Sequence, residues 1–108
     1  MEEKILQNHE INLIKDRLVK AIAPSKIYLF GSFAKGTNTE TSDYDFYIIV
    51  PDGSDDRVAI SQRAYKALRG VRRRPVDIVV GYEKTFDTRK NIASIENVVN
   101  NEGVLIYG

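Results

Sequence analysis

The chain has no cysteine, which excludes disulfides and thiolate metal sites and accords with a reducing cytosol. Its only histidine is His9, too isolated to serve as a metal ligand or catalytic base, and it reads as a helix-surface residue. An excess of one charge is also missing. Basic residues number 16 and acidic residues 15, for a formal net charge of +1. There is then no general field to gather nucleic acid or a membrane, so direct nucleic-acid binding is not expected and any phosphate recognition must come from local clustering. No apolar run approaches the ~18 residues of a membrane span. The opening MEEKILQNHE lacks a basic segment followed by an apolar block, and the expected location is cytoplasmic. With 43% apolar and 29% charged residues in 108 positions, residues 1–108 are expected to form one soluble domain with a modest core.

What is present is a succession of short periodic segments. From Glu3 to Ala23 the spacing is helical: Ile11, Ile14, Leu18 and Ile22 recur at three- and four-residue intervals, with Ile5, Leu6 and Leu13 beside them. Pro24-Ser25 ends that helix. Ile27–Phe30, bounded by Pro24 and Gly31, reads as a buried strand. Ser32–Lys35 can add one helical turn before Gly36-Thr37-Asn38 breaks it. Asp45–Val50 is β-branched and aromatic, a second strand closed by Pro51-Asp52-Gly53. Ser54 is expected to N-cap a helix reaching about Arg69, with Val58, Ala64, Tyr65 and Leu68 as its apolar positions and Gly70 as its terminator. Pro75–Val80 reads as a third strand and Lys84–Arg89 as a weak helical turn. Ile92–Asn100 reads as a helix with Ile92, Ile95 and Val99 on one side, and Val104–Tyr107 as a last strand. Strands alternating with helices predict an α/β (α+β) sandwich, a small mixed β-sheet flanked by helices. Its last strand is a candidate edge for pairing with another chain.

The segment from Ile27 to Val50 carries the chemistry. An apolar strand stops at Gly31-Ser32, ten small or polar residues follow, and Asp43-Tyr44-Asp45 opens the next strand. Residues two apart in a strand share a face, so Asp43 and Asp45 project together, roughly 7 Å apart at Cα, while Tyr44 turns away. Two aligned carboxylates at the mouth of an apolar strand are costly unless a cation lies between them. Asp77, early in the third strand, joins them if that strand lies beside the second. Three such carboxylates make a hard, all-oxygen site suited to magnesium. Two ions ~3.5–4 Å apart can clamp the attacking and leaving oxygens of a displacement at phosphorus. Gly31-Ser32 permits close backbone approach to an anion, with the hydroxyl and following N–H groups donating to phosphate.

Taken singly, a D-x-D is more often a surface turn, Asp77 a strand-end carboxylate and Gly31 an ordinary strand terminator. The combination reverses that balance. Two rival motifs fail: Gly31 and Gly36 have P-loop spacing, but Thr37-Asn38 stands where Lys-Ser/Thr is needed, and an EF-hand would put Tyr47 and Ile48 where an oxygen ligand and glycine belong. Arg72, Arg73 and Arg74 read as a solvated charge run, with triphosphate or an RNA-bound partner as the functional alternative. Arg63 and Lys66 read as solvent-facing.

G-S, ten residues, D-x-D and a later strand-borne aspartate together resemble the minimal nucleotidyltransferases of the DNA polymerase β superfamily. The likeness extends over the leading helix, Tyr28-Leu29-Phe30-Gly31-Ser32, Val76-Asp77-Ile78-Val79-Val80 and Glu102-Gly103-Val104-Leu105-Ile106-Tyr107. The resemblance implies a polymerase β palm-like nucleotidyltransferase fold in which Gly31 and Ser32 bind the β- and γ-phosphates of a nucleoside triphosphate. Asp43 and Asp45 would hold two Mg2+ ions, and Asp77 would bind one of them and help activate the incoming hydroxyl. Lys35, where the family commonly has arginine, keeps a positive charge for the nucleotide but not a bidentate grip.

The resemblance further implies transfer of AMP from ATP to a hydroxyl of a partner protein, a HEPN toxin, by an antitoxin of a toxin–antitoxin pair. One domain of this size is expected to leave the base uncovered and the acceptor unrecognised, so a partner or a second subunit, as in a homodimer, is expected to complete the site. Neutralisation by binding alone, and transfer to a small molecule or RNA, stay open at this point.

Overall fold

The N-terminal helical stretch breaks at Gln7-Asn8. In the computed structural model, which describes residues 2–71 and 73–108, a short helix α1 (Glu2–Leu6) precedes α2 (His9–Ile22) where one continuous helix was expected. Asn8 causes the break. Its Oδ1 accepts from the Ile11 amide at 3.0 Å, satisfying one of the free donors of the new helix start. Ala23 then closes α2 in the left-handed region, just ahead of Pro24.

Four strands follow: β1 (Lys26–Phe30), β2 (Tyr44–Val50), β3 (Val76–Tyr82) and β4 (Val104–Tyr107). Their order in the sheet is β3-β2-β1-β4. β1 runs antiparallel to β2 and β4, and β2 runs parallel to β3. The mixed sheet expected from the sequence is therefore present, with β4 at one edge. The helices α3 (Ser32–Lys35), α4 (Arg57–Ala67), α5 (Glu83–Arg89) and α6 (Ile95–Glu102) fill the connections. A parallel pair cannot be joined by a hairpin, and α4 supplies the crossover between β2 and β3.

Alternation along β2 divides the core in two. Tyr44, Phe46, Ile48 and Val50 face a large cluster with Ile11, Ile14 and Leu18 of α2 and Ile60 and Ala64 of α4. Tyr47 and Ile49 face a smaller one with Phe86 of α5 and Val99 of α6. Burial on both faces explains why β2 reads as a nearly unbroken apolar run after Asp45.

Three helix expectations need correction. α4 is capped by Asp56, whose Oδ1 accepts from the Ala59 amide at 3.0 Å, while the Ser54 hydroxyl turns back to the Pro51 carbonyl at 2.6 Å. Ile60, Ala64 and Leu68 are buried by this part of the chain, whereas Val58 and Tyr65 are exposed. The Tyr65 hydroxyl accepts from the Ile78 amide at 3.0 Å, so that ring caps a donor on the outer edge of β3 instead of entering the core. α6 starts later than expected because Ser94 caps it, accepting from Asn97 N. Its buried side carries Glu96 and Val99, leaving Ile92 and Ile95 in solvent.

Glu96 is the one charged side chain described as buried, 6% exposed. Its two oxygens accept from the Tyr47 hydroxyl at 2.7 Å and Arg89 Nε at 2.9 Å. Burial works to raise this carboxyl, but the hydrogen bonds from Tyr47 and Arg89 outweigh it and hold it below its ordinary value. Gly81 leaves room for the tyrosine, since a Cβ there would lie 2.1 Å from the Tyr47 hydroxyl. A carboxylate held low stabilises the fold above the unfolded pKa and loses that contribution as acid protonates it. Tyr47→Phe should therefore cost about 1–3 kcal/mol at neutral pH, with the deficit shrinking as pH falls through the carboxylate range. Urea unfolding across that range checks both; a variant as stable as the wild type at neutral pH would remove this role for the pair.

Candidate active site

β2 and β3 pair so that Asp45 lies opposite Asp77, and β1 sets Phe30 on the other side of Asp45. Residues opposite one another in a pleated sheet share a face, so Asp77, Asp45 and Phe30 form one row. It lies at the carboxyl end of β1 and the amino ends of β2 and β3, on the side covered by α5 and α6. The next row on this face carries Val79, Tyr47 and Tyr28 and packs into the smaller core. That cover stops short of the aspartates, leaving Asp45 half-buried and Asp77 exposed. Asp43, half-buried, immediately precedes β2. Tyr44 between them faces the opposite core, as alternation requires.

Asp45 feels both of the other carboxylates. Partial burial raises Asp45 above its ordinary value, and the neighbouring charges of Asp77 and then Asp43 raise it further. The row is nevertheless open: among the described residues no three acidic or imidazole side chains are already closed round a common point in the manner of a metal cage. Like charges at Asp77 and Asp43 disfavour the ionised form of Asp45 between them. All-oxygen donors of this kind suit a hard divalent cation.

Gly31 joins the start of α3 to the acid row. Its backbone, at φ 75° and ψ −152°, lies in a region essentially reserved for glycine. A Cβ there would come 2.2 Å from Asp45 Oδ2. The Gly31 backbone is thus pressed against the Asp45 carboxyl, and Ser32, half-buried, opens α3 beside it. Gly36, at φ 76°, closes that single turn. Lys35 is exposed, and its Nζ stands 3.5 Å from Glu102 Oε1 at the end of α6, both side chains about half exposed. An ion pair that open contributes ~0–1 kcal/mol and leaves the ammonium free to exchange partners.

The arginine run separates on folding. Arg72 lies outside the described residues. The Arg73 amide donates to Glu10 Oε2 at 2.7 Å. Arg74 is not a solvated charge: its guanidinium carbon lies 4.9 Å from the Phe33 ring centre and 5.3 Å from that of Tyr44. Arg74 Nη1 donates to the Ser42 carbonyl at 2.9 Å. Sequence reading missed Arg74, Glu10 and Glu96, because nothing in their spacing joins them to partners 30 or more residues away, such as Ser42, Tyr44 and Tyr47. Arg63 pairs with Asp55 at 2.8 Å on the surface, and His9 is exposed at the start of α2.

The description "Nucleotidyltransferase domain" matches residues 11–100, and the chain belongs to that family. The resemblance read from G-S, D-x-D and Asp77 is borne out at this level, and so is the mixed sheet flanked by helices. The class is a nucleotidyl-transferring enzyme. Among solved structures, a chain of a toxin–antitoxin crystallised with AMP-PNP is 28% identical, with a TM-score of 0.60 over 94% of this chain and 74% of that one. A chain of the toxin–antitoxin MntA-HpeT, in a mutant with two aspartates changed to glutamate, is 25% identical over the same shares, again with a TM-score of 0.60. A nucleotidyltransferase structure from Sulfolobus solfataricus, 22% identical with a TM-score of 0.62 over 96% of this chain and 80% of that one, shares the fold. No curated protein matches the chain.

Two stability measurements probe this geometry. Gly31→Ala should cost about 1–3 kcal/mol from backbone strain alone, and more once Asp45 is displaced. Asp45→Asn should act in the opposite direction in metal-free buffer. A carboxyl raised by folding makes the native state bind extra protons, so its penalty is absent below the unfolded pKa and grows as pH rises through the folded one. Removing the charge should stabilise the protein at neutral pH by on the order of 0.2–1 kcal/mol, the range for cross-strand pairs, and have no such effect in strong acid. Thermal unfolding in EDTA at both pH extremes decides; destabilisation at neutral pH would contradict the repulsion.

Proposed function

We propose that this protein is a magnesium-dependent adenylyltransferase that moves AMP from ATP onto a hydroxyl of a partner protein, a HEPN-type toxin, and acts as its antitoxin. The observation that carries the reading is the alignment of Asp45 with Asp77 beside the Gly31–Ser32 corner. Support for the partner and nucleotide comes from the neighbours: one was crystallised as a toxin–antitoxin with AMP-PNP, and another as a variant with two aspartates replaced.

In this reading Asp43, Asp45 and Asp77 hold two Mg2+ ions, which supply positive charge to the transferred phosphoryl and to the departing pyrophosphate. Gly31 and Ser32 take the β- and γ-phosphates through backbone N–H groups and the serine hydroxyl. Lys35, released from Glu102, adds charge on the same side. Asp77, the most exposed of the three acids, faces the acceptor and receives the hydroxyl proton. The acceptor oxygen bonds to the α-phosphorus as the bond to the bridging oxygen breaks, and pyrophosphate leaves. Donors fixed before the reaction reduce the reorganisation needed as charge shifts between these oxygens.

ATP labelled at the α-phosphate, incubated with magnesium and the product of the adjacent reading frame, should label that product. Asp43→Ala and Asp45→Ala should each lower the rate on the order of 100-fold or more. Equal labelling by wild type and variants removes the enzymatic reading. Full protection from the toxin by both variants would instead assign neutralisation to binding alone.

A further inference from the structure

Arg74 touches both the segment carrying Ser32 and the segment carrying Asp43. Its guanidinium stacks on Phe33, the neighbour of Ser32, and on Tyr44, the neighbour of Asp43, with the two rings themselves 4.6 Å apart. Its Nη1 donates to the Ser42 carbonyl at 2.9 Å and lies 3.4 and 3.5 Å from those of Thr39 and Glu40. The Tyr44 ring is held in turn, its hydroxyl donating to Glu10 Oε1 at 2.6 Å. The Tyr44 amide donates to the Pro75 carbonyl at 3.0 Å, immediately after Arg74. All of this lies on the Tyr44 side of the sheet, opposite the acid row.

We infer that Arg74 is a positioning residue, a clamp that fixes the 39–42 loop and α3 so that Asp43 stands in line with Asp45 and Asp77 for the cation. The inference rests on the active-site reading above. Residues 37–43 contain no strand or helix; besides Arg74, the loop is tied by the Thr37 amide donating to the Ser32 carbonyl at 3.0 Å and by short-range bonds among Thr39, Thr41 and Ser42. A planar, five-donor cation between two rings can serve several carbonyls at once, which lysine cannot do. Partners behind a metal ligand set its orientation, and their loss typically lowers metal affinity 10–100-fold.

Mn2+ binding, read as loss of the free-ion EPR signal, tests the clamp in wild type, Arg74→Ala, Arg74→Lys and Asp45→Asn, with hydrogen exchange of the Ser42 and Tyr44 amides measured alongside. Arg74→Ala is expected to weaken Mn2+ binding about 10–100-fold and to speed exchange at both amides by about 10-fold or more, with Arg74→Lys between it and wild type. If Arg74→Ala does not fold, Arg74→Lys carries both comparisons. Wild-type Mn2+ affinity in the arginine variants, with Asp45→Asn abolishing binding, overturns the inference and leaves the active-site reading standing. Affinity unchanged in all four proteins overturns both. Unchanged amide exchange rejects the clamp whatever the metal does.

Discussion

The character of the site rests on one repulsive contact that the rest of the fold enforces, Asp45 set directly across from Asp77 on neighbouring parallel strands. Like charges in that position work against the sheet. Partial burial of Asp45 adds to the cost, which is why its carboxyl resists ionisation. The pair persists because the register of β2 is settled elsewhere: a one-residue slip would exchange Phe46, Ile48 and Val50 with Tyr47 and Ile49 between two differently shaped cores. Local conflict enforced by a well-packed surround is typical of functional sites. Here the packing ends one row short of the acids, so the conflict faces solvent, where a ligand of opposite charge can relieve it.

β2 is fastened from both sides by a tyrosine and a carboxylate. Tyr44 reaches Glu10 through the larger core, and Tyr47 reaches Glu96 through the smaller one. Burial first, then the acceptor carboxylate, pushes Tyr44 up to about 12 and Tyr47 further in the same direction. Both phenols therefore remain O–H donors throughout the physiological range. Each network also recruits an arginine, Arg74 on one side and Arg89 on the other. The strand that carries Asp45 is thus held at a tyrosine one residue after Asp43 and at another two residues after Asp45.

Most elements were legible because periodicity and punctuation agree in this chain. Pro24, Gly31, Gly36 and Pro51 bound segments whose apolar spacing is unambiguous, and the parallel placement of β3 beside β2 follows once α4 is seen to separate them. The alignment of Asp45 with Asp77 was legible for the same reason, since alternation fixes the faces of residues within the paired strands. The errors arose where a polar side chain reaches the backbone or a distant partner. Asn8 interrupts an apolar stripe that continues through it, and Asp56 outcompetes Ser54 because the serine hydroxyl is already spent on Pro51. Of the face expected from Ile92, Ile95 and Val99, only Val99 is buried; Glu96 is buried with it, because the carboxylate finds Tyr47 from 49 positions earlier. Arg74 looked solvated because aromatic rings at Phe33 and Tyr44 give no linear sign of stacking on it.

The central claim is that the Gly31–Ser32 corner and the three aspartates form one site for a metal-bound triphosphate. Crystals grown with Mn2+ and a non-hydrolysable ATP analogue, with data collected at the manganese edge, test it most directly. The account predicts anomalous density among Asp43, Asp45 and Asp77, with the terminal phosphates against Gly31 and Ser32. Triphosphate bound elsewhere, or manganese density away from these carboxylates, would contradict it.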